Sequence, residues 1–247
     1  MSAIQTEISG DADQVARGVA DRLAEIAGES INRHGRCTIA LAGGSTPKRL
    51  YQILATNEYR SKVDWSNVHL FLGDERYVPL DHPDSNYRMA KEALIDHVSI
   101  SPNQVRSVPT ELDPAECARE YESVMRNTFH AGADEIPEFD LILLGIGRDG
   151  HTASLFPGTS ALQVHDRLVI ENWVPQQDSI RITFTIPTLQ AARTTVLMAT
   201  GDDKADAVAR ALEGELSINE TPSQVLRDSN GSVTFALDRA AAAKLAS

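Results

Sequence analysis

A histidine close to an acid in a glycine-rich loop is the most chemically loaded feature of this 247-residue chain. In Gly145-Ile146-Gly147-Arg148-Asp149-Gly150-His151-Thr152-Ala153-Ser154-Leu155-Phe156-Pro157-Gly158, the imidazole of His151 suits a general base and Asp149 an acid that orients it. Glycines at 145, 147, 150 and 158 permit tight curvature and close approach of a ligand. A histidine taken at random, one of seven here, is more often structural. The position of His151, just beyond the strongly apolar run FDLILL, sets it apart.

Two other loops offer complementary chemistry. Gly43-Gly44-Ser45-Thr46-Pro47 follows the run CTIALA and precedes a helical pattern, with Thr46 expected as N-cap and Pro47 at the first helical position. A helix start with free N–H groups suits a phosphate, although a plain strand-to-helix turn uses the same residues. The segment is neither GxGxxG nor GxxxxGK[ST], so no dinucleotide or nucleoside triphosphate is indicated. Gly73-Asp74-Glu75-Arg76-Tyr77-Val78-Pro79, followed by Asp84-Ser85-Asn86-Tyr87, supplies Arg76 for a phosphate or carboxylate. Its acids can orient that arginine or hold sugar hydroxyls; a solvated loop capped by Asp84 or Ser85 is the plainer alternative. Lys204, after Gly201-Asp202-Asp203, and Arg181, opening RITFTI, are ordinary surface charges in isolation. With Arg76 they make a local positive cluster.

Such a cluster is needed. The chain has 23 Lys and Arg against 35 Asp and Glu, a formal charge of −12, which argues against a general nucleic-acid surface. An anionic small-molecule substrate must therefore be held by local groups. Hydrophobic residues at 42% and charged residues at 23% describe a folded, soluble protein. No targeting segment or apolar run of roughly 18 residues appears, so a cytoplasmic location without membrane contact is expected. Cys37 and Cys117 show no CxxC spacing and no Cys/His cluster, so both read as reduced packing residues. No metal site and no cofactor is expected.

These loops need a scaffold that presents them together. Apolar positions Val15, Val19, Leu23, Ile26 and Ile31 predict a long amphipathic helix between Asp11 and Gly35. Buried strands are expected at 37–42, 68–72, 139–144 and 194–199, and further strands at 168–173, 182–186 and 232–237. Helices are expected at 47–56, 85–97, 114–130, 204–213 and 238–246. The alternation predicts an α/β fold, a mostly parallel sheet with helices on both faces, in one domain over residues 1–247. In such sheets ligands bind beyond the carboxyl ends of the strands, where all these loops lie.

In content and order, LAGGSTP, GDERYVP…DSN, LGIGRDGHTASLFPG and RITFT resemble the 6-phosphogluconolactonase family, over most of the chain. The resemblance implies a Rossmann-like fold with small additional α/β elements, shared with glucosamine-6-phosphate deaminases and ribose-5-phosphate isomerases. It implies hydrolysis of 6-phosphoglucono-1,5-lactone, with His151 as general base, Arg76 and Lys204 on the phosphate or lactone, and Gly43, Gly44, Ser45 and Thr46 forming the phosphate loop. Asp74 is expected to position a sugar hydroxyl or Arg76, Asp149 to assist His151, and Arg181 to add a phosphate contact. Arg148 and Phe235 stand where the family pattern suggests an acidic or small residue and a tryptophan. In the sibling deaminases the loop reads GHIAFNEPG, and its glutamate orients the histidine. Phe156 falls at that position, and a phenyl ring cannot accept the imidazole's hydrogen bond. Alternatives are an amino-sugar-phosphate deaminase or isomerase and a non-catalytic sugar-phosphate sensor, although such sensors usually carry an added domain and this chain starts its first strand within a few residues. A monomer or weak homodimer is expected.

Overall fold

The computed structural model describes residues 4–246. Its first helix, α1 (Ala12–His34), starts where the Asp11 carboxylate accepts the Gln14 N–H at 2.9 Å. It ends at Gly35, whose φ of 79° is the left-handed turn that a glycine adopts without strain. Val15, Val19 and Leu23 are buried as predicted, Ile26 and Ile31 are half-buried against the core, and Ala27 is buried in the same face.

Strand β2 (Cys37–Leu41) is buried along its whole length, as a central parallel strand must be. Around it are β1 (Gln5–Ser9), β3 (Val68–Leu72), β5 (Val105–Arg106), β6 (Leu141–Gly145), β9 (Thr194–Ala199) and β10 (Ser232–Asp238), in the order β1-β10-β9-β6-β2-β3-β5. Every neighbouring pair is parallel. The chain builds outward on one side of β2 through β3, and on the other through β6, β9 and β10. The seam between β2 and β6 is the switch point at which a doubly wound sheet opens a crevice.

The strands expected near 168–173 and 182–186 form β7 (Val169–Val174) and β8 (Ser179–Phe184), which join β4 (Asp74–Arg76) in a separate antiparallel sheet. Gly73 links the two sheets: its N–H donates to the Leu41 carbonyl at 2.9 Å, and its carbonyl accepts from Phe184 N at 2.9 Å. The remaining helices are α2 (Ser45–Leu54), α3 (Asn57–Arg60), α4 (Asn86–Ala93), α5 (Pro114–Phe129), α6 (Ile186–Gln190) and α7 (Ala205–Glu213).

Two buried tyrosines fix where the central strands end. The Tyr51 hydroxyl of α2 accepts from Ala42 N at 2.9 Å and donates to Ala42 O at 2.8 Å. The Tyr121 hydroxyl of α5 accepts from Leu72 N at 2.7 Å and reaches Leu72 O at 3.1 Å. Burial pushes both phenols far above their ordinary range, so both remain donors. Cys37 and Cys117 are free and buried, and burial raises the Cys117 thiol to about 12.

Four expectations need correction. Residues 239–246 form turns rather than a helix, because the Asp238 carboxylate takes the N–H groups of Gly201 and Ala241 and so starts a tight reversal. Helix α2 begins at Ser45, two residues early, which moves Pro47 to the third helical position. Thr46 is not its N-cap: Gly44 holds that place, and no side chain caps the helix. The expected helix over 85–97 ends at Ala93, with a single 3-10 turn at Ile95–His97.

Candidate active site

The loop after β6 folds the expected acid–base pair into contact. His151 Nδ1 lies 2.6 Å from Asp149 Oδ1, and the same oxygen accepts the His151 backbone N–H at 3.1 Å. A carboxylate can only accept, so Nδ1 carries the proton and Nε2 presents its lone pair. Burial alone raises the Asp149 carboxyl, but the hydrogen bond and charge from His151 outweigh it and hold Asp149 below the usual carboxylate range. Gly147 makes the arrangement possible. A Cβ there would lie 2.1 Å from His151 Nδ1 and 2.5 Å from Asp149 Oδ1, closer than any side chain allows.

His151 opens onto a cavity of about 200 Å³ at the carboxyl ends of β2, β3 and β6, which also collects Gly43, Gly44, Asp74, Arg76, Arg181 and Lys204. A larger groove of about 430 Å³ lies at the opposite end of the sheet, around His34, Asp140 and Arg193, away from this chemistry. Within the smaller cavity, Arg76 and Arg181 are direct cross-strand partners of β4 and β8. Like charges set opposite one another disfavour pairing. Burial and then the charge of Arg76 lower the Arg181 guanidinium from its ordinary value. Arg76 donates to the Asp84 carbonyl at 2.8 Å and Arg181 to the Gln177 side chain, yet the Nε of each is buried without a partner. Unspent donors on two facing guanidiniums suit a tetrahedral oxyanion.

Lys204 enters from the β9–α7 junction, 3.3 Å from Asp203. Gly44, at φ 102°, turns the chain into α2, and the missing cap leaves the first N–H groups of that helix free of a side-chain acceptor. Ser45 and Thr46 do not line the cavity, contrary to expectation: Ser45 is exposed, and the Thr46 hydroxyl is 2.9 Å from that of Thr200.

Asp74 does not pair with Arg76 either. Its carboxylate accepts from the Ser154 hydroxyl at 2.6 Å and approaches Asn86 Nδ2 at 3.4 Å. Asn86, Ser154 and Gln177 line the cavity without having been singled out from the sequence. For Asn86 and Ser154 the signal was their place inside the quoted motifs; Gln177, in a 3-10 turn between β7 and β8, had none. The fully buried Glu75 accepts from the N–H groups of Arg76, Asn86 and Tyr87 at 2.7, 2.7 and 2.8 Å. Burial pushes its carboxyl up despite these donors. It fastens β4 to the start of α4, which sets Asp74, Arg76 and Asn86 in fixed relation.

Similarity to known proteins agrees with this geometry. Residues 10–235 match the family described as glucosamine-6-phosphate isomerases/6-phosphogluconolactonase. A 6-phosphogluconolactonase of Nostoc sp. is 43% identical over 218 residues, covering 87% of this chain and 88% of that protein. The solved 6-phosphogluconolactonase from Trypanosoma cruzi superposes with a TM-score of 0.89 at 31% identity, covering 100% of this chain and 99% of that one. A monomeric glucosamine-6-phosphate deaminase shares the fold, with a TM-score of 0.82 at 21% identity, covering 97% of this chain and 99% of that one. The chain thus belongs to the glucosamine-6-phosphate isomerase/6-phosphogluconolactonase family, and the relatives it matches at 43% and 31% identity are 6-phosphogluconolactonases.

Proposed function

We infer that this chain hydrolyses 6-phospho-D-glucono-1,5-lactone to 6-phospho-D-gluconate, a step of the oxidative pentose phosphate pathway, with His151 as general base. The observation that carries the mechanism is the 2.6 Å Asp149–His151 pair on one wall of a cavity that also holds the opposed Arg76 and Arg181. Asp149 keeps the Nδ1 proton in place, so Nε2 removes a proton from water as the water oxygen bonds to C1. Charge moves onto the former carbonyl oxygen, where positive groups and backbone N–H donors stabilise it. When the tetrahedral centre collapses, the bond from C1 to the ring oxygen breaks and Nε2–H returns the proton to that oxygen, leaving a carboxylic acid that ionises. Arg76, Arg181 and Lys204 hold the phosphate, Gly43 and Gly44 allow the sugar close to the backbone, and Asp74, fixed by Ser154, accepts from a sugar hydroxyl.

We propose that residues 1–247 act as one domain, because the loops of the site leave one parallel sheet to which the antiparallel sheet is bonded through Gly73. Deamination of an amino-sugar phosphate is the weaker reading, since Phe156 offers no acceptor to the imidazole beside it. Acid release from freshly prepared phosphorylated lactone, corrected for spontaneous opening, tests the assignment. Strong acceleration is expected, with unphosphorylated gluconolactone a poor substrate. Equal kcat/KM for the two lactones would remove the phosphate site from the mechanism.

A further inference from the structure

Hydrogen bonding to Asp149 fixes one edge of the His151 ring but leaves rotation about that edge and the ring's two faces to be settled. The Phe156 ring lies against His151 with centroids 4.0 Å apart and planes inclined by 25°, a close stack. The same loop is built to bring it there. Ala153 adopts φ 46°, an unusual conformation for a residue with a Cβ, and Thr152 and Leu155 bridge across the reversal that follows. Beyond the ring, Phe156 O accepts from Thr159 N at 3.2 Å and from the Thr159 hydroxyl at 2.9 Å. Phe156 is 3% exposed, so it is held in the wall rather than presented to solvent.

We propose that Phe156 is a positioning residue for the hydrolysis: its ring fixes the plane of the His151 imidazole, so that Nε2 points at the attacking water. Asp149 holds the ring edge, Gly147 leaves room for it, and the phenyl face sets its tilt. The π face also favours the imidazolium that exists between water attack and departure of the ring oxygen, a state the ground-state complex lacks. The effect therefore belongs in kcat rather than in KM.

The proposal rests on His151 being the base, so His151→Gln is measured alongside. Phe156→Leu keeps apolar bulk but removes the flat face, and it is expected to lower kcat about tenfold while KM stays within about twofold. Phe156→Tyr retains the ring and should restore kcat to within about twofold of wild type. In the unaltered protein, proton NMR should show one imidazole displaced upfield by the ring current of the phenyl, the signal that disappears in His151→Gln. Wild-type kcat in Phe156→Leu, a loss confined to KM, a tyrosine variant as slow as the leucine one, or no upfield imidazole each overturns the proposal. The NMR measurement decides it even if the leucine variant does not fold. Wild-type kcat in His151→Gln overturns the base assignment instead.

Discussion

The two walls of the cavity are made in opposite ways. On the catalytic wall, Gly147, Asp149, His151 and Phe156 come from one loop, and the contacts that matter join residues two to five positions apart. On the anion wall, Arg76 and Arg181 come from distant strands and meet only because β4 and β8 pair antiparallel in a particular register. Local chain geometry suffices for the acid–base pair, whereas the phosphate site depends on the whole fold. The walls also differ in electrostatic balance. Asp149 and His151 satisfy each other, while the arginines face each other and each keeps a buried Nε without a partner.

Mutation should separate the two walls by which kinetic constant moves. The largest effect is expected from His151→Ala, a fall in kcat of about 10²- to 10⁴-fold with KM nearly unchanged, followed by acid release. Retained kcat would mean that another group activates water. Next, Gly147→Ala forces a Cβ into the space of His151 and Asp149, at an expected cost of about 1–3 kcal/mol in stability together with a marked loss of kcat. Thermal unfolding beside steady-state rates would reveal whether that glycine is needed as tightly as the 2.1 Å contact implies.

On the anion wall, Arg181→Ala should raise KM about tenfold to a hundredfold with little change in kcat, and Arg181→Lys should recover only part of the affinity because it loses the planar fork. Arg76→Gln sharpens the contrast. It should weaken substrate binding yet raise the melting temperature of the empty protein by about 2 °C, because it relieves a like-charge cross-strand pair. A lower melting temperature for that variant would show that the facing arginines are not strained. The smallest effect concerns pH. The Asp149 carboxyl is depressed in the folded state, so the stability it adds is complete above the usual carboxylate range and is lost as pH falls through the depressed value. Thermal unfolding of wild type and Asp149→Asn between pH 7 and pH 3 should give a constant difference at the upper end that shrinks toward the acid end.

Much of the scaffold was legible because it follows from short-range rules. The stripe of α1 between Asp11 and Gly35 and the buried strand β2 follow from side-chain periodicity. Misreadings arose where a side chain had a better partner elsewhere. Thr46 bonds to Thr200 instead of capping α2, Asp74 takes Ser154 rather than Arg76, which leaves the sugar hydroxyl of its two expected partners, and Asp238 spends its carboxylate on Gly201 and Ala241 where a helix was expected. Thr200, Ser154 and Gly201 are all distant in sequence from the residues they engage.

By itself the sequence determined the long first helix and the central strands and placed the acid and base within reach of each other, because glycine spacing and hydrophobic period act over a few residues; the short elements β4, β5, α3 and α6 carried no such signal. Only the tertiary structure decided that the late strands form a separate antiparallel sheet, that Arg181 faces Arg76, and that Asn86, Ser154 and Gln177 join the cavity. Those outcomes depend on strand register and on competition among distant hydrogen-bond partners, and both are settled only when the whole chain packs.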